Sequence, residues 1–182
     1  MKLRSSSSIE ICILAGGLSH RMGCDKSRLR LGRRTMLGDI RAEAKKLDLP
    51  LRVIRRDIVP RCGPLGGVYT ALKSTRTEAV MFLACDMPFI TATLLRTVHR
   101  RFEGRDDALF VCLGRKPGFP FVLRRGALPT VTTQIEQEKF SLRHLARVLN
   151  AKTLIVPRWR PQLRNINTPE EWQTARRSLW RA

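Results

Sequence analysis

Residues 9–26 read Ile-Glu-Ile-Cys-Ile-Leu-Ala-Gly-Gly-Leu-Ser-His-Arg-Met-Gly-Cys-Asp-Lys. The first six, Ile9 to Leu14, form a short apolar run rich in isoleucine that stops at Gly16-Gly17, the pattern of a buried strand entering a tight loop. Paired glycines let the backbone approach a ligand closely and turn its N–H groups toward phosphates. Arg21 and Lys26 add two cations. The spacing is neither that of G-x-x-x-x-G-K-[ST] nor that of G-x-G-x-x-G. Two readings therefore stand together: a phosphate site, or an ordinary surface turn in an arginine-rich chain.

Further along, runs with the strand pattern alternate with runs of helical period. Met36 to Leu47 carries apolar residues at helical spacing and stops before Pro50. Leu51 to Ile54 reads as a strand, and Pro64 to Ser74 as a helix with Leu65, Val68 and Leu72 on one face. Ala79 to Cys85 is the most apolar run and predicts a central strand. A helix over Thr91 to Phe102, closed by Gly104, follows. Ala108 to Leu113, Phe119 to Leu123 and Thr153 to Val156 predict strands, and Phe140 to Leu149 a helix with Ser141 as its N-cap. Thr168-Pro169-Glu170-Glu171 is a capping box with proline at the first helical position, predicting a helix to about Trp180. Such alternation implies an α/β layered domain with a mostly parallel sheet, residues 9–182, behind a tail over 1–8. In such sheets the ligand lies beyond the carboxyl ends of the strands. Gly16-Gly17 and Asp86 both follow strand ends and are expected to line one crevice.

Three other segments carry chemistry. Asp86, in Ala84-Cys85-Asp86-Met87-Pro88, is a lone carboxylate after a buried strand. Magnesium often uses one or two carboxylates plus substrate phosphates, so Asp86 is either its ligand or a turn residue before Pro88. Gly63-Pro64-Leu65-Gly66-Gly67 places small residues at a helix start, where they permit close contact with a planar ligand or with the first loop. In Asn165-Ile166-Asn167 the two amides would point the same way on an extended segment, to meet a heteroaromatic substrate or to cap a turn. His20, His99 and His144 suggest neither a triad nor a metal cluster.

The chain has 182 residues, 43% of them hydrophobic, which suits one domain with a substantial core and argues against disorder. Its formal charge of +20 attracts polyanions such as nucleotides, phosphorylated cofactors, nucleic acid or membrane surfaces. A compositional bias toward arginine is the alternative cause. Five cysteines stand singly, without zinc-site spacing, and imply a reducing compartment. No apolar stretch approaches the ~20 residues of a membrane span, and cleavage after the first apolar run would destroy the glycine motif. A cytoplasmic monomer is expected.

Together these segments resemble the molybdenum cofactor guanylyltransferase family, within the larger group of MobA-like NTP transferases. The resemblance rests on Leu14–Lys26, on Asp57 followed by Gly63-Pro64-Leu65-Gly66-Gly67, on Ala84–Pro88 and on Asn165–Glu171. It implies a three-layer, Rossmann-like nucleotide-diphosphosugar transferase fold with a mostly parallel sheet. It also implies transfer of GMP from GTP to the molybdopterin cofactor, with release of pyrophosphate. Carried over by position, Leu14, Ala15, Gly16 and Gly17 would contact GTP, and Lys26 and Arg21 its phosphates. Asp57 would hold the nucleoside, Asp86 would bind Mg²⁺, and Asn165 and Asn167 would face the pterin. Proteins that deliver molybdopterin, or the molybdoenzymes themselves, would be transient partners. The family usually places a further strand and loop before Asp57, with an asparagine near the guanine. Residues 36–57 here contain no asparagine, and Leu51–Arg56 replaces two elements with one. The competing readings are a relative using another NTP or a sugar phosphate, an inactive homologue, or a basic nucleic-acid-binding protein. The last lacks interleaved aromatics and any RRM or zinc-finger signature.

Overall fold

A computed structural model describes residues 8–16, 29–102 and 106–179 of the chain. Strand β1 (Ile9–Leu14), second from one edge of the main sheet, is buried along its whole length. Because side chains alternate across a strand, Ile9, Ile11 and Ile13 enter one apolar layer while Cys12 and Leu14 enter the other. β1 is followed by a two-strand ribbon, β2 (Arg30–Leu31) with β3 (Arg34–Thr35), and then by helix α1 (Met36–Lys45). Thr35 caps α1 by accepting a hydrogen bond from the Gly38 N–H.

Next come β4 (Leu51–Ile54), α2 (Pro64–Ser74), β5 (Ala79–Ala84) and α3 (Ala92–Arg101). α3 begins where Thr91 caps Leu94 and a Glu43 carboxylate oxygen accepts from the Ala92 N–H at 2.8 Å. The hairpin β6 (Ala108–Leu113) and β7 (Lys116–Arg124) leads to α4 (Leu128–Glu136) and α5 (Leu142–Val148), the latter capped by Ser141. β8 (Lys152–Ile155), a 3-10 helix (Pro157–Leu163) and α6 (Pro169–Leu179) complete the described chain.

The main sheet has the order β4-β1-β5-β7-β6-β8. β1 pairs parallel with β4 and β5, and β6 parallel with β8; β7 alone runs against its neighbours. α1 and α3 cover one face, while α2, α4 and α5 cover the other. The result is the expected layered α/β sandwich with a mostly parallel sheet. On the second face Phe82, Phe110 and Phe121 are fully buried, and Phe121 stacks on the other two with ring centres 4.9 and 4.6 Å away.

Several expected boundaries shift by one to three residues, and β7 is longer than its apolar part, starting at Lys116 in the turn of the hairpin. Residues 128–136 carry no strong helical signal in the sequence, yet they form α4. Its Leu-Pro-Thr-Val-Thr-Thr stretch is poor in strong helix formers, and packing of Val131 into the second layer overrides that weak propensity. Ser8, placed in the expected tail, accepts from the N–H groups of Glu78 and Ala79 at 3.0 and 3.1 Å.

The Glu10 that interrupts the first apolar run is 8% exposed and satisfied. Arg52 of β4 donates to its carboxylate at 2.7 and 3.0 Å, and also to the Ala71 carbonyl and the Ser74 hydroxyl. This network fastens β4 to β1 and to α2. Among the described residues no helix is long and apolar enough to cross a membrane.

Candidate active site

Three parallel strands end in line at one edge of the sheet. Leu14 of β1 is in register with Ile54 of β4 and Ala84 of β5. The ladder runs one residue further on each side, through Ala15 N–H to the Ile54 carbonyl at 2.8 Å and Cys85 N–H to the Leu14 carbonyl at 3.1 Å. Ala15 and Gly16 therefore leave the sheet between two loops, one carrying Asp57 and the other Asp86.

On the β4 side, the Asp57 carboxylate rests against glycines. A β-carbon on Gly16 would stand 3.1 Å from the Arg55 carbonyl oxygen and 3.4 Å from Asp57 Oδ1. On Gly66 it would stand 2.7 Å from the Val59 carbonyl oxygen and 2.8 Å from Asp57 Oδ2. On Gly67 it would meet Leu14 Cδ2 at 3.0 Å and Asp57 Oδ1 at 3.4 Å. The small residues that open α2 are thus required by the close approach of the Asp57 loop. The Ile58 N–H and the Gly66 carbonyl both bond the Thr70 hydroxyl, which ties this loop to the helix. Burial pushes the Asp57 carboxyl above the usual carboxylate range. Burial, then the nearby Asp57 charge, raises the Cys62 thiol.

On the β5 side, Asp86 meets a segment 79 residues downstream. The Asn165 side-chain amide donates to Asp86 Oδ2 at 3.4 Å, and the Ile166 N–H donates to the Asp86 carbonyl at 2.8 Å. Two further anchors hold that segment. Ile166 is buried with Leu31, Met36 and Ala175, and Trp172 of α6 packs against them while donating its indole N–H to the Arg30 carbonyl at 3.2 Å. The capping box closes the start of α6: Glu171 N–H donates to the Thr168 hydroxyl at 3.2 Å, and the Glu171 carboxylate accepts from the N–H groups of Asn167 and Thr168 at 2.6 and 3.2 Å. The Arg164 guanidinium lies 5.7 Å over the Phe89 ring.

Of the residues singled out from the sequence, Leu14, Ala15, Gly16, Asp57 and Asp86 gather at this edge, and Asn165 reaches Asp86 itself. Asn167 lies two residues on, with its backbone N–H committed to Glu171. Gly17, Arg21 and Lys26 lie outside the described residues, as do His20 and Cys24. Sequence reasoning missed the Asn165–Asp86 contact and the anchoring by Trp172. A tryptophan on the apolar side of the capped helix was the available signal for the second. For the first there was none, because the contact joins segments far apart in the chain.

The donor set at Asp86 has the chemistry of a hard-cation site. Among the described residues no cluster of three or more His, Cys, Asp or Glu side chains converges. One carboxylate, oriented by an amide, suits a cation that keeps waters and shares substrate oxygens, as magnesium does, and does not suit zinc.

The profile of the MobA-like NTP transferase domain family matches residues 38–154. A probable molybdenum cofactor guanylyltransferase of Pelotomaculum thermopropionicum is 36% identical over 112 residues, 53% of this chain and 54% of that protein, so the chain matches about half the length of that relative. One from Carboxydothermus hydrogenoformans is 26% identical over 91% of this chain and 94% of its own length. The crystal structure of molybdopterin-guanine dinucleotide biosynthesis protein A from Archaeoglobus fulgidus superposes with a TM-score of 0.76 at 20% identity, covering 95% of this chain and all of that one. That likeness shows the Rossmann-like nucleotidyltransferase fold.

Proposed function

Since the chain belongs to the MobA-like NTP transferase domain family, we propose that it is a molybdenum cofactor guanylyltransferase, which moves GMP from GTP onto molybdopterin and releases pyrophosphate. The observation that carries this reading is the meeting at Asp86. The carboxylate that would hold the metal and the Asn165 segment that would face the pterin touch each other beside the glycine loop.

The terminal phosphate of molybdopterin attacks the α-phosphorus of GTP in line. A new phosphorus–oxygen bond forms to that phosphate, and the bond to the β-phosphate bridging oxygen breaks. The electron pair leaves with pyrophosphate. The attacking phosphate is already ionised, so no general base is needed, and the protein contributes position and charge. Backbone N–H groups of Gly16 and Gly17 cradle the phosphates, the Ala15 N–H being committed to the Ile54 carbonyl, and Leu14 packs beneath the nucleotide. Lys26 and Arg21 stabilise the charge that develops on the leaving group. Asp57 holds the nucleoside side of the crevice. Asn165 and Asn167 present the acceptor. Asp86 would hold Mg²⁺, which would supply neutralisation of phosphate charge. The enzyme works in the cytoplasm as a monomer and meets molybdopterin-delivering or molybdoenzyme proteins transiently; it has no specific nucleic-acid target.

Calorimetric titration of GTP, CTP, ATP and UTP with Mg²⁺, on the wild type and on Asp86→Ala, tests this reading. Selective GTP binding that requires Mg²⁺ and is lost in a folded Asp86→Ala supports it. Equal binding of all four nucleotides, or tighter CTP binding, overturns the guanylyl assignment. The absence of any binding overturns the enzymatic one.

A further inference from the structure

At the other end of the sheet from β4, a groove of about 410 Å³ opens between α3 and the segment that joins β8 to the 3-10 helix. Its lining includes Leu154, Ile155, Pro157 and Trp159 together with Arg101 and Arg158. Ile155 is 62% exposed, which leaves a large β-branched side chain open to solvent at the mouth. β8 lies three strands from β5, roughly 14 Å across the sheet at normal strand spacing, so none of these residues belongs to the candidate active site.

Two features identify the occupant. The first is charge. α3 carries Arg96, Arg100 and Arg101, and the 3-10 helix carries Arg158 and Arg160, and neither element contains an acidic residue. Residues 139–169 contain seven Lys and Arg and no Asp or Glu at all. Asp106, just before β6, accepts from Lys152 at 3.4 Å. The Arg158 guanidinium lies 4.2 Å over the Trp159 ring, a flat cation–aromatic platform at the groove wall. The second feature is shape. β8 is the outermost strand on this side and, among the described residues, pairs only with β6. An extended segment laid along such an edge gains main-chain hydrogen bonds while its alternate side chains drop into the adjoining groove.

We propose that this groove is a docking site for an extended acidic segment of a partner protein, with an apolar residue seated against Ile155 and Trp159 and flanking carboxylates paired to Arg101 and Arg158. The site stands on the groove itself and does not depend on which nucleotide the chain uses. It also has a short route to the catalytic edge. The 3-10 helix runs from the groove directly to Arg164 and Asn165, and Gln162 within it accepts from the Thr91 hydroxyl at 2.8 Å. A partner held here would sit beside the segment that contacts Asp86.

The test uses two fluorescein-labelled peptides of equal negative charge, titrated with the full chain at 0.15 M salt and read by anisotropy. One carries leucine and tryptophan between its glutamates; the other carries serine in their place. Arg101→Gln/Arg158→Gln, Ile155→Ser and Trp159→Ala serve as variants, with thermal melts as the fold check; Ile155→Ser changes an exposed side chain and preserves the fold. The expected result is at least tenfold tighter binding of the apolar-anchored peptide, with that advantage lost in Ile155→Ser. Arg101→Gln/Arg158→Gln should weaken both peptides several-fold. Equal binding of the two peptides overturns the proposal, as does an advantage that survives Ile155→Ser. Displacement of the anchored peptide by a DNA oligonucleotide of equal charge assigns the face to nucleic acid and also overturns it. So does a concentration-dependent dimer that Ile155→Ser dissolves, because the groove would then belong to a second copy.

Discussion

At Gly66 two opposing effects can be weighed. Alanine is a better helix former than glycine by about 1 kcal/mol, so Gly66→Ala should stabilise α2 if nothing stood nearby. The new methyl, however, would lie 2.7 Å from the Val59 carbonyl oxygen, which is backbone and cannot swing aside. Overpacking of this kind costs about 1–3 kcal/mol and wins. Gly66→Ala should therefore lose up to about 2 kcal/mol in urea unfolding. Gly67→Ala, whose nearest neighbour is the mobile end of Leu14 at 3.0 Å, should stay within about 0.5 kcal/mol of wild type. Asp57 makes a second prediction. Burial raises its folded pKa above the unfolded value, so the ionised carboxylate costs stability at neutral pH. That cost fades as pH falls through the folded pKa, and it is gone below the ordinary carboxylate value of about 4. Asp57→Asn should melt above wild type at pH 7 and level with it at pH 3.5, while binding GTP more weakly. A stability gained and a function lost by one substitution is the signature of a strained site. The glycines and Asp57 were legible in the sequence as residues. Their mutual contact was not, because proximity between residue 16 and residue 66 depends on how β1 and α2 are laid side by side.

Among the elements, β1 and β5 declared themselves through unbroken apolar runs, and α6 through its capping box. α4 and the β2–β3 ribbon did not. The first lacks helix formers, and the second has two residues per strand, too few for any period to register. β4 is the instructive case. Its four residues are all half-buried, as befits the outermost strand on its side, and its attachment rests on polar contacts as much as apolar ones. Arg52 joins β4 to Glu10 of β1 and to the end of α2. Removing the guanidinium would leave the Glu10 carboxylate inside the sheet without its ion pair, a loss of about 3–5 kcal/mol for buried pairs. Arg52→Ala should therefore fall by about 3 kcal/mol in urea unfolding, and the double change Glu10→Leu/Arg52→Leu should recover most of it. A double variant as unstable as the single one would show that Arg52 acts through α2 instead.

For the whole molecule, a charge of +20 predicts two salt dependences of different steepness. Nonspecific DNA contacts release about one condensed counterion per neutralised phosphate, so with on the order of six phosphate contacts the affinity for a DNA duplex should drop about 1,000-fold between 0.05 and 0.2 M salt. A nucleotide held by backbone N–H groups and a few cations should lose less than about tenfold over the same range. Filter binding for DNA and calorimetry for GTP would measure the two slopes, and parallel slopes would mean that the same diffuse field holds both ligands. Charge as a total was legible from composition. Its concentration around α3 and the 3-10 helix was not, because those elements are brought together only by the sheet. The link between Asp86 and Asn165 carries one more consequence, for the order in which the protein is made. Synthesis runs from the amino end, so the glycine loop and Asp86 leave the ribosome long before the asparagine that completes their crevice, and the helix that anchors it emerges later still. A nascent chain paused anywhere in that interval would display half of the candidate cleft and nothing to close it. If the proposed function holds, a chain truncated ahead of residue 165 should turn over no GTP, since it lacks the amide that meets Asp86.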